Sequence, residues 1–406
     1  TAAFGLSLLN KLDAASFRVQ ALVLCPTREL ADQVAREIRR LAQAIPNIKI
    51  LSLCGGVPIG PQNASLQHSP HVIVGTPGRV LKHLGKGTVN LNGLQTFVLD
   101  EADRMLDMGF MDELDAILAF VPNDRQTLLF SATYPEAIAS MSARVQRDPV
   151  EVDVTDDEQP AQIAQHWCSV TRENRNDELL GALRAWGGAL NLVFCNTKID
   201  CAEVARYLQA KNIVAVALHG DLDQRERTQV LVRFANRSAS VLIATDVAAR
   251  GLDVDDLDAV FNYELPAQPE VYIHRIGRTG RAGKEGVAVS LVETREMRRL
   301  QEIEALLPDG VLRPCASPNS KQTTDALVPS MTTIQISGGR KNKLRPGDLL
   351  GALTAQGGVR GDAVGSIDLF DTYSYVAVHN AQARKALQQL TSRPIKGRKY
   401  RARILR

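Results

Sequence analysis

Thr96-Phe97-Val98-Leu99-Asp100-Glu101-Ala102-Asp103 sets a short apolar run directly against three carboxylates. The run predicts a buried strand, and like charges crowded at its end are costly at a low-dielectric edge. A divalent cation relieves that cost. Hard oxygen ligands suit Mg²⁺, which keeps several waters and bridges nucleotide phosphates. The same residues would also serve as the acidic first turn of a solvated helix. Their company separates the two readings. Ser131-Ala132-Thr133 follows a second apolar run, Thr127 to Phe130. Far downstream come Ala249-Arg250-Gly251-Leu252-Asp253 and His274-Arg275-Ile276-Gly277-Arg278-Thr279-Gly280-Arg281. An acidic metal site with a distant arginine cluster is the layout of an enzyme that closes two domains on a phosphate chain.

Working outward, residues 1 to 152 alternate apolar runs with helical patterns. Strands are predicted at Ala21 to Leu24, Ile48 to Leu53, Val72 to Val74, Thr96 to Leu99 and Thr127 to Phe130. Near-continuous apolar strands between helices imply a parallel sheet covered on both faces. Each unusual cluster follows a strand: Pro26-Thr27-Arg28, Gly55-Gly56, Thr76-Pro77-Gly78-Arg79, the acidic quartet and Ser131-Ala132-Thr133. Open α/β sheets place ligand sites at those carboxyl ends.

The acidic stretch 153–164 reads as a linker closed by Pro160, and the same rhythm returns over 165–311. Leu192 to Cys195 leads to Asn196-Thr197, Val214 to Leu218 to His219-Gly220, and Val241 to Ala244 to Thr245-Asp246. Residues 312–329, loose and containing Pro and Ser, make a second linker. Over 330–406 the period changes to strict alternation around Thr333 to Ser337, Ser366 to Leu369, Tyr373 to Val378 and Lys399 to Ile404. Each is a strand with one wet face. Helical patterns near Pro346 and Ala381 complete a β-α-β-β-α-β order, that of a small RRM-like α+β domain. The fold class is therefore α/β, two tandem parallel-sheet domains plus this appendage.

Composition agrees. At 406 residues, 45% apolar and 23% charged, the chain is an ordinary globular protein of two or three domains. No apolar run approaches the ~18 residues of a membrane span. Six cysteines show no close pairing of the kind that marks zinc or disulfide frameworks, and buried reduced thiols in a cytoplasmic setting are expected. The net charge of +3 conceals 14 Lys/Arg against 4 Asp/Glu from Ser330 onward. That asymmetry points to a nucleic-acid-binding tail on a more neutral body.

The chemistry follows from the residue types. Asp100 is the natural Mg²⁺ partner and Glu101 can polarise an attacking water. Arg278 and Arg281, three apart, would reach one phosphate from one side of a helical turn. Gly277 and Gly280 allow close backbone approach. Thr27, Arg28, Gly56, Thr76, Gly78 and Arg79 suit sugar–phosphate contacts that read no bases. With Thr197, Arg227 and Thr245 they would line one continuous groove.

These motifs, in this order and spacing over residues 1 to about 310, resemble the DEAD-box RNA helicases, built from two RecA-like domains. The resemblance implies an RNA-dependent ATPase using ATP and Mg²⁺. Asp100 and Glu101 then serve the metal and hydrolysis; Asp103, Ser131, Thr133 and His274 couple nucleotide state to domain closure. Asp253 meets the ribose, Arg278 and Arg281 act as arginine fingers, and Gln224 with Arg227 forms the family's Gln-x-x-Arg pair on RNA. The family's phosphate-binding loop is represented only by its last, Mg²⁺-facing threonine, Thr1. The stretch as given is therefore expected to lack turnover by itself.

Gly338 to Leu353 is similar to the RNA-binding domain of the DbpA subgroup. That implies a 23S rRNA hairpin as partner and a role in large ribosomal subunit assembly; a monomer is expected, and the lack of a long apolar run argues against a membrane. In this tail Lys341, Lys343, Arg345, Lys399, Arg401 and Arg403 are expected to hold RNA, with Tyr373 and Tyr375 as the remaining stacking surface. The rivals are a non-catalytic RNA clamp, a general RNA chaperone of the same family and a DNA-translocating motor.

Overall fold

The computed structural model describes residues 1–153, 163–249, 257–280, 285–308, 311–315 and 327–405. They fall into two compact units, 1–153 and the described residues from 163 onward.

The first unit is built on β1 (Ala21–Leu24), β2 (Ile50–Leu53), β3 (Val72–Gly75), β4 (Thr96–Leu99) and β5 (Gln126–Leu129). All pair in parallel, in the order β2-β3-β1-β4-β5. The apolar runs are long because both faces are covered. Leu22 and Leu24 pack with Phe97, Leu99 and Val80 on one side, whereas Ala21 and Val23 pack with Val34, Ala35 and Ile38 on the other. The latter three lie on one stripe of the helix Arg28–Leu41, whose first turn is capped by Thr27 accepting from the Leu30 amide at 3.3 Å. Ile48, Lys49 and Phe130 fall just outside the strands expected to contain them.

The second unit contains a seven-stranded parallel sheet: β6 (Ile163–Val170), β7 (Asn191–Phe194), β8 (Ala215–Leu218), β9 (Val241–Ala244), β10 (Ala259–Asn262), β11 (Gly286–Glu293) and β12 (Leu312–Pro314). Its order is β12-β6-β11-β10-β7-β9-β8. The second linker therefore begins later than expected: Leu312–Pro314 pairs with β6 as an edge strand. The cysteine expectation also changes, since Cys168 on β6 and Cys315 just after β12 are disulfide-bonded across 147 residues. Spacing detects only local pairs, and here the sheet brings distant residues together. Cys25, Cys54, Cys195 and Cys201 are free and buried.

The same unit carries β13 (Met331–Ile336), β14 (Val364–Leu369), β15 (Ser374–His379) and β16 (Ala402–Ile404), an antiparallel sheet in the order β14-β15-β13-β16. Helices Pro346–Thr354 and Ala383–Ser392 close one face, packing Leu349 and Leu390 over Ile334, Ile336, Val376 and Val378. The opposite face was expected to be wet. Instead Thr333, Gln335, Tyr375 and Ala377 are all at most 5% exposed. Thr333 meets the end of the helix Gln224–Ala235: its hydroxyl lies 2.6 Å from that of Ser238 and accepts from the Asn236 amide at 3.4 Å.

Candidate nucleotide and RNA sites

Asp100 stands directly beyond β4, its amide donating to the Leu24 carbonyl at 3.0 Å. Burial, reinforced by the neighbouring Glu101 charge, raises its carboxyl pKa to about 6. A desolvated carboxylate beside a like charge fits a divalent cation. Among the described residues no three His, Cys, Asp or Glu side chains converge on a metal. Such an ion would take its other oxygens from water and phosphate. Glu101 adopts a left-handed backbone (φ 55°, ψ 56°) that turns the chain from strand into the helix Ala102–Asp107. This conformation is uncommon for a non-glycine residue and concentrates at functional sites. Its carboxylate pairs with Arg104 at 3.0 Å.

The ends of β4 and β5 meet through side chains. The Thr133 hydroxyl lies 3.4 Å from Asp103 Oδ2, and the Ser131 hydroxyl donates to the Thr133 carbonyl at 2.6 Å. Asp103 is buried, yet its Oδ1 has no hydrogen-bond partner. A buried acceptor left open is costly unless something else completes it. Three of the four residues expected to couple nucleotide state to closure thus form one cluster. The fourth, His274, belongs to the other unit, in the helix Pro269–Ile276.

The phosphate-type groups of the first unit gather around the loop after β2. Gly56 has φ +68°, and a Cβ there would lie 1.5 Å from Arg28 Nη1, so both backbone and space demand glycine. Arg79, from the helix Pro77–Gly85, donates to the Gln62 side chain at 2.6 Å and to the Val57 carbonyl at 2.9 Å. Thr76 occupies the N-cap position of that helix without a side-chain capping bond, and the space around Gly78 is open.

In the second unit, Thr197 repeats the part of Thr27, capping the helix Lys198–Ala210 by accepting from the Asp200 amide at 3.1 Å. Thr245 follows β9, and Gln224 and Arg227 lie on the first turn of Gln224–Ala235, which is held by an Asp223–Glu226 capping box. The residue missed in the sequence is Arg275. Its guanidinium, 1% exposed, binds both Asp246 oxygens at 2.7 Å, Asn196 at 2.9 Å, Asn262 at 3.1 Å and the Glu264 carbonyl at 2.7 Å. One side chain thereby ties the ends of β7, β9 and β10 to the helix carrying His274. Sequence shows only one arginine among three in a short run.

Arg278 is placed differently from the helical turn expected for it. The helix ends at Ile276 with Gly277 as its cap, and Gly280 has φ +70°. Arg278 therefore lies in a turn past the helix rather than on it. Arg281 itself, like Arg250 to Asp253, lies outside the described residues.

In the C-terminal domain Lys341, Lys343 and Arg345 are exposed on the loop after β13, where Lys343 has φ 59°. Lys396 joins that loop to the approach to β16 by donating to the Lys343 carbonyl at 2.8 Å and pairing with Asp348 at 2.8 Å. Lys399, Arg401 and Arg403 are exposed as the alternation predicts, although only Arg403 lies within β16. The tyrosines differ from expectation. Tyr375 is fully buried, and burial raises its pKa to about 12. Tyr373 is half-buried, stacked on Phe370 at 4.9 Å, with Arg225 over its ring at 5.8 Å. The sheet face that would stack bases is covered here by the helix Gln224–Ala235.

Residues 1–141 match the DEAD/DEAH box helicase family, 174–283 the helicase conserved C-terminal domain, and 333–404 the DbpA RNA binding domain. The chain is 52% identical over 408 positions to the ATP-dependent RNA helicase DbpA of Escherichia coli K12, covering all of this chain and 88% of that protein. It is 44% identical over 305 positions to the helicase CshA of Geobacillus kaustophilus, covering 75% of this chain and 65% of the relative. Among solved structures, S. cerevisiae Dbp5 bound to RNA and ADP BeF3 aligns with a TM-score of 0.70 at 31% identity, over 78% of this chain and 82% of that one. The chain belongs to the DEAD-box ATP-dependent RNA helicases, in their DbpA-type branch.

Proposed function

We propose that this helicase remodels ribosomal RNA during large-subunit assembly, its C-terminal domain holding a 23S rRNA hairpin while the two RecA-like domains turn over ATP. Mg²⁺ with ATP supplies neutralisation of charge on the transferring phosphoryl group. Asp100, with Thr1, holds that metal; its desolvated carboxylate beside Glu101 supports this assignment. Glu101 orients and deprotonates the attacking water. Arg278 and Arg281 offset charge developing on the phosphate, and Asp253 meets the ribose. Asp103, Ser131, Thr133 and His274 couple nucleotide state to closure, with the open Asp103 Oδ1 supporting a further partner in the closed form. Thr27, Arg28, Gly56, Thr76, Gly78 and Arg79, with Thr197, Gln224, Arg227 and Thr245, grip the RNA backbone.

The ribosomal reading is supported by the exposed basic groups Lys341, Lys343, Arg345 and Lys399 of the C-terminal domain, where Lys396 ties the Lys343 carbonyl to Asp348. With Tyr375 buried, backbone shape and phosphate contacts carry recognition more than base stacking does. The proposed setting is the cytoplasm, with the protein acting as a monomer. No described helix is long and apolar enough to cross a membrane. The test is a binding titration of the full-length protein with a 23S hairpin fragment and a scrambled stem of equal length. A preference of tenfold or more, with affinity falling steeply in salt, is expected; equal affinities would remove the ribosomal assignment.

A further inference from the structure

The buried face of the C-terminal sheet leads to a site at its edge. Asp368, Tyr375, Gln335 and Arg403 form one row across β14, β15, β13 and β16. The middle of that row is covered, but at the β16 end the sheet parts from the helix Gln224–Ala235. There a cleft of about 770 Å³ opens, lined by Arg225 from that helix and by Gln335, Ser337, Tyr400, Arg401 and Arg403.

Its chemistry is one-sided. Three guanidinium groups face one space, and among the described residues no carboxylate forms an ion pair with any of them. Arg403 donates Nε to Gln335 Oε1 at 2.9 Å, which leaves its terminal amino groups available. Arg225 sits over the Tyr373 ring, an arrangement that leaves its in-plane donors available. Tyr400 borders the cleft from the domain core, where it is 8% exposed. Clustered donors and mutual repulsion call for an anion with several acceptor oxygens. Guanidinium forks match phosphate geometry, and the Ser337 hydroxyl suits sugar–phosphate oxygens.

The source of that phosphate follows from the helix. Gln224 and Arg227, three apart, share one side of its first turn, whereas Arg225 is turned about 100° away, toward the C-terminal domain. One helix turn thus presents donors on the side assigned to core-bound RNA and on the side that meets the cleft. We propose that this cleft is a phosphate subsite through which the RNA backbone passes from the second helicase domain to the C-terminal domain. The inference rests on the RNA-binding reading above and adds Arg225 and Ser337 to it.

The test uses the full-length protein and a labelled hairpin RNA with a single-stranded extension, titrated across a range of KCl. R225Q/R401Q should weaken binding by tenfold or more and flatten the log–log salt slope by about 1.4, since each phosphate contact to a single strand contributes about 0.7. R401Q alone, at an exposed residue just before β16, should give about half that change in slope. R225K/R401K should restore the slope. K341Q/K343Q serves as the comparison for the wider reading. Weakened binding in K341Q/K343Q with none in R225Q/R401Q or R401Q overturns the cleft and leaves the C-terminal domain an RNA binder; no weakening in any variant overturns both. If inorganic phosphate or ATP binding is lost in R225Q/R401Q while the RNA slope is unchanged, the cleft takes a free phosphate and the RNA proposal fails.

Discussion

Arg275 holds Asp246 with two hydrogen bonds of 2.7 Å, one from Nε and one from Nη2, inside the second helicase domain. Asp246 begins the helix Asp246–Ala249 directly after β9, and Arg275 precedes the turn that carries Arg278. The pair therefore fixes two loops that are far apart in sequence. Arg275 is 1% exposed and Asp246 27% exposed, so removing the arginine leaves a partly buried carboxylate uncompensated. Arg275→Ala should cost about 3 kcal/mol in urea unfolding. A loss below about 1 kcal/mol would mean that Asn196, Asn262 and Asp246 satisfy one another without it.

Glu101→Gln keeps the shape of the side chain but removes its basicity. It should leave ATP and RNA binding near normal and slow single-turnover hydrolysis by about 10²-fold or more. Turnover within threefold of the unmodified enzyme would assign Glu101 to its Arg104 ion pair alone.

The raised Asp100 pKa has a signed consequence. In the nucleotide-free protein the carboxyl titrates near 6, above its ordinary 3.8, so between those values the native state binds more protons than the unfolded chain. Its contribution to stability therefore falls as pH rises through that window. Asp100→Asn should stabilise the nucleotide-free protein by up to about 3 kcal/mol at pH 7.5, little at pH 4, and abolish Mg²⁺-dependent nucleotide affinity. Equal urea midpoints for the two proteins at pH 7.5 would contradict the burial argument.

Arg278→Ala should slow hydrolysis by about 10³-fold while nucleotide affinity without RNA changes little, if its guanidinium meets phosphate only in the closed state. Equal losses of ATP and ADP affinity with normal turnover at saturation would place it in a static basic patch.

Gly56→Ala tests the first RNA cluster. Positive φ and the Arg28 guanidinium at 1.5 Å from the new Cβ both oppose it. It should cost about 1 kcal/mol of stability and weaken RNA binding by displacing Arg28. Unchanged affinity would detach Arg28 from the RNA path.

The strand ends that carry the chemistry were legible because apolar runs covered on both faces stand out against their polar successors. β1, β4 and β9 fall where those runs predict. β6 was not legible, because Gln165, His166 and Trp167 interrupt its pattern, and β12 is three residues ending in proline. Arg275 looks like its neighbours until burial singles it out. Tyr375 alternates as a solvent-facing residue should; what covers it comes from more than 140 residues earlier, in the helix Gln224–Ala235. Periodicity reports which face a residue is on, not what packs against that face.

The most direct test is RNA-stimulated ATP turnover by the full-length protein, with the RNA concentration for half-maximal stimulation measured for a 23S hairpin fragment, a scrambled stem and the DNA version of the same hairpin. A half-maximal concentration at least tenfold lower for the ribosomal hairpin, with no stimulation by DNA, is the predicted result. Equal stimulation by all three would contradict an RNA helicase directed to ribosomal RNA by its C-terminal domain.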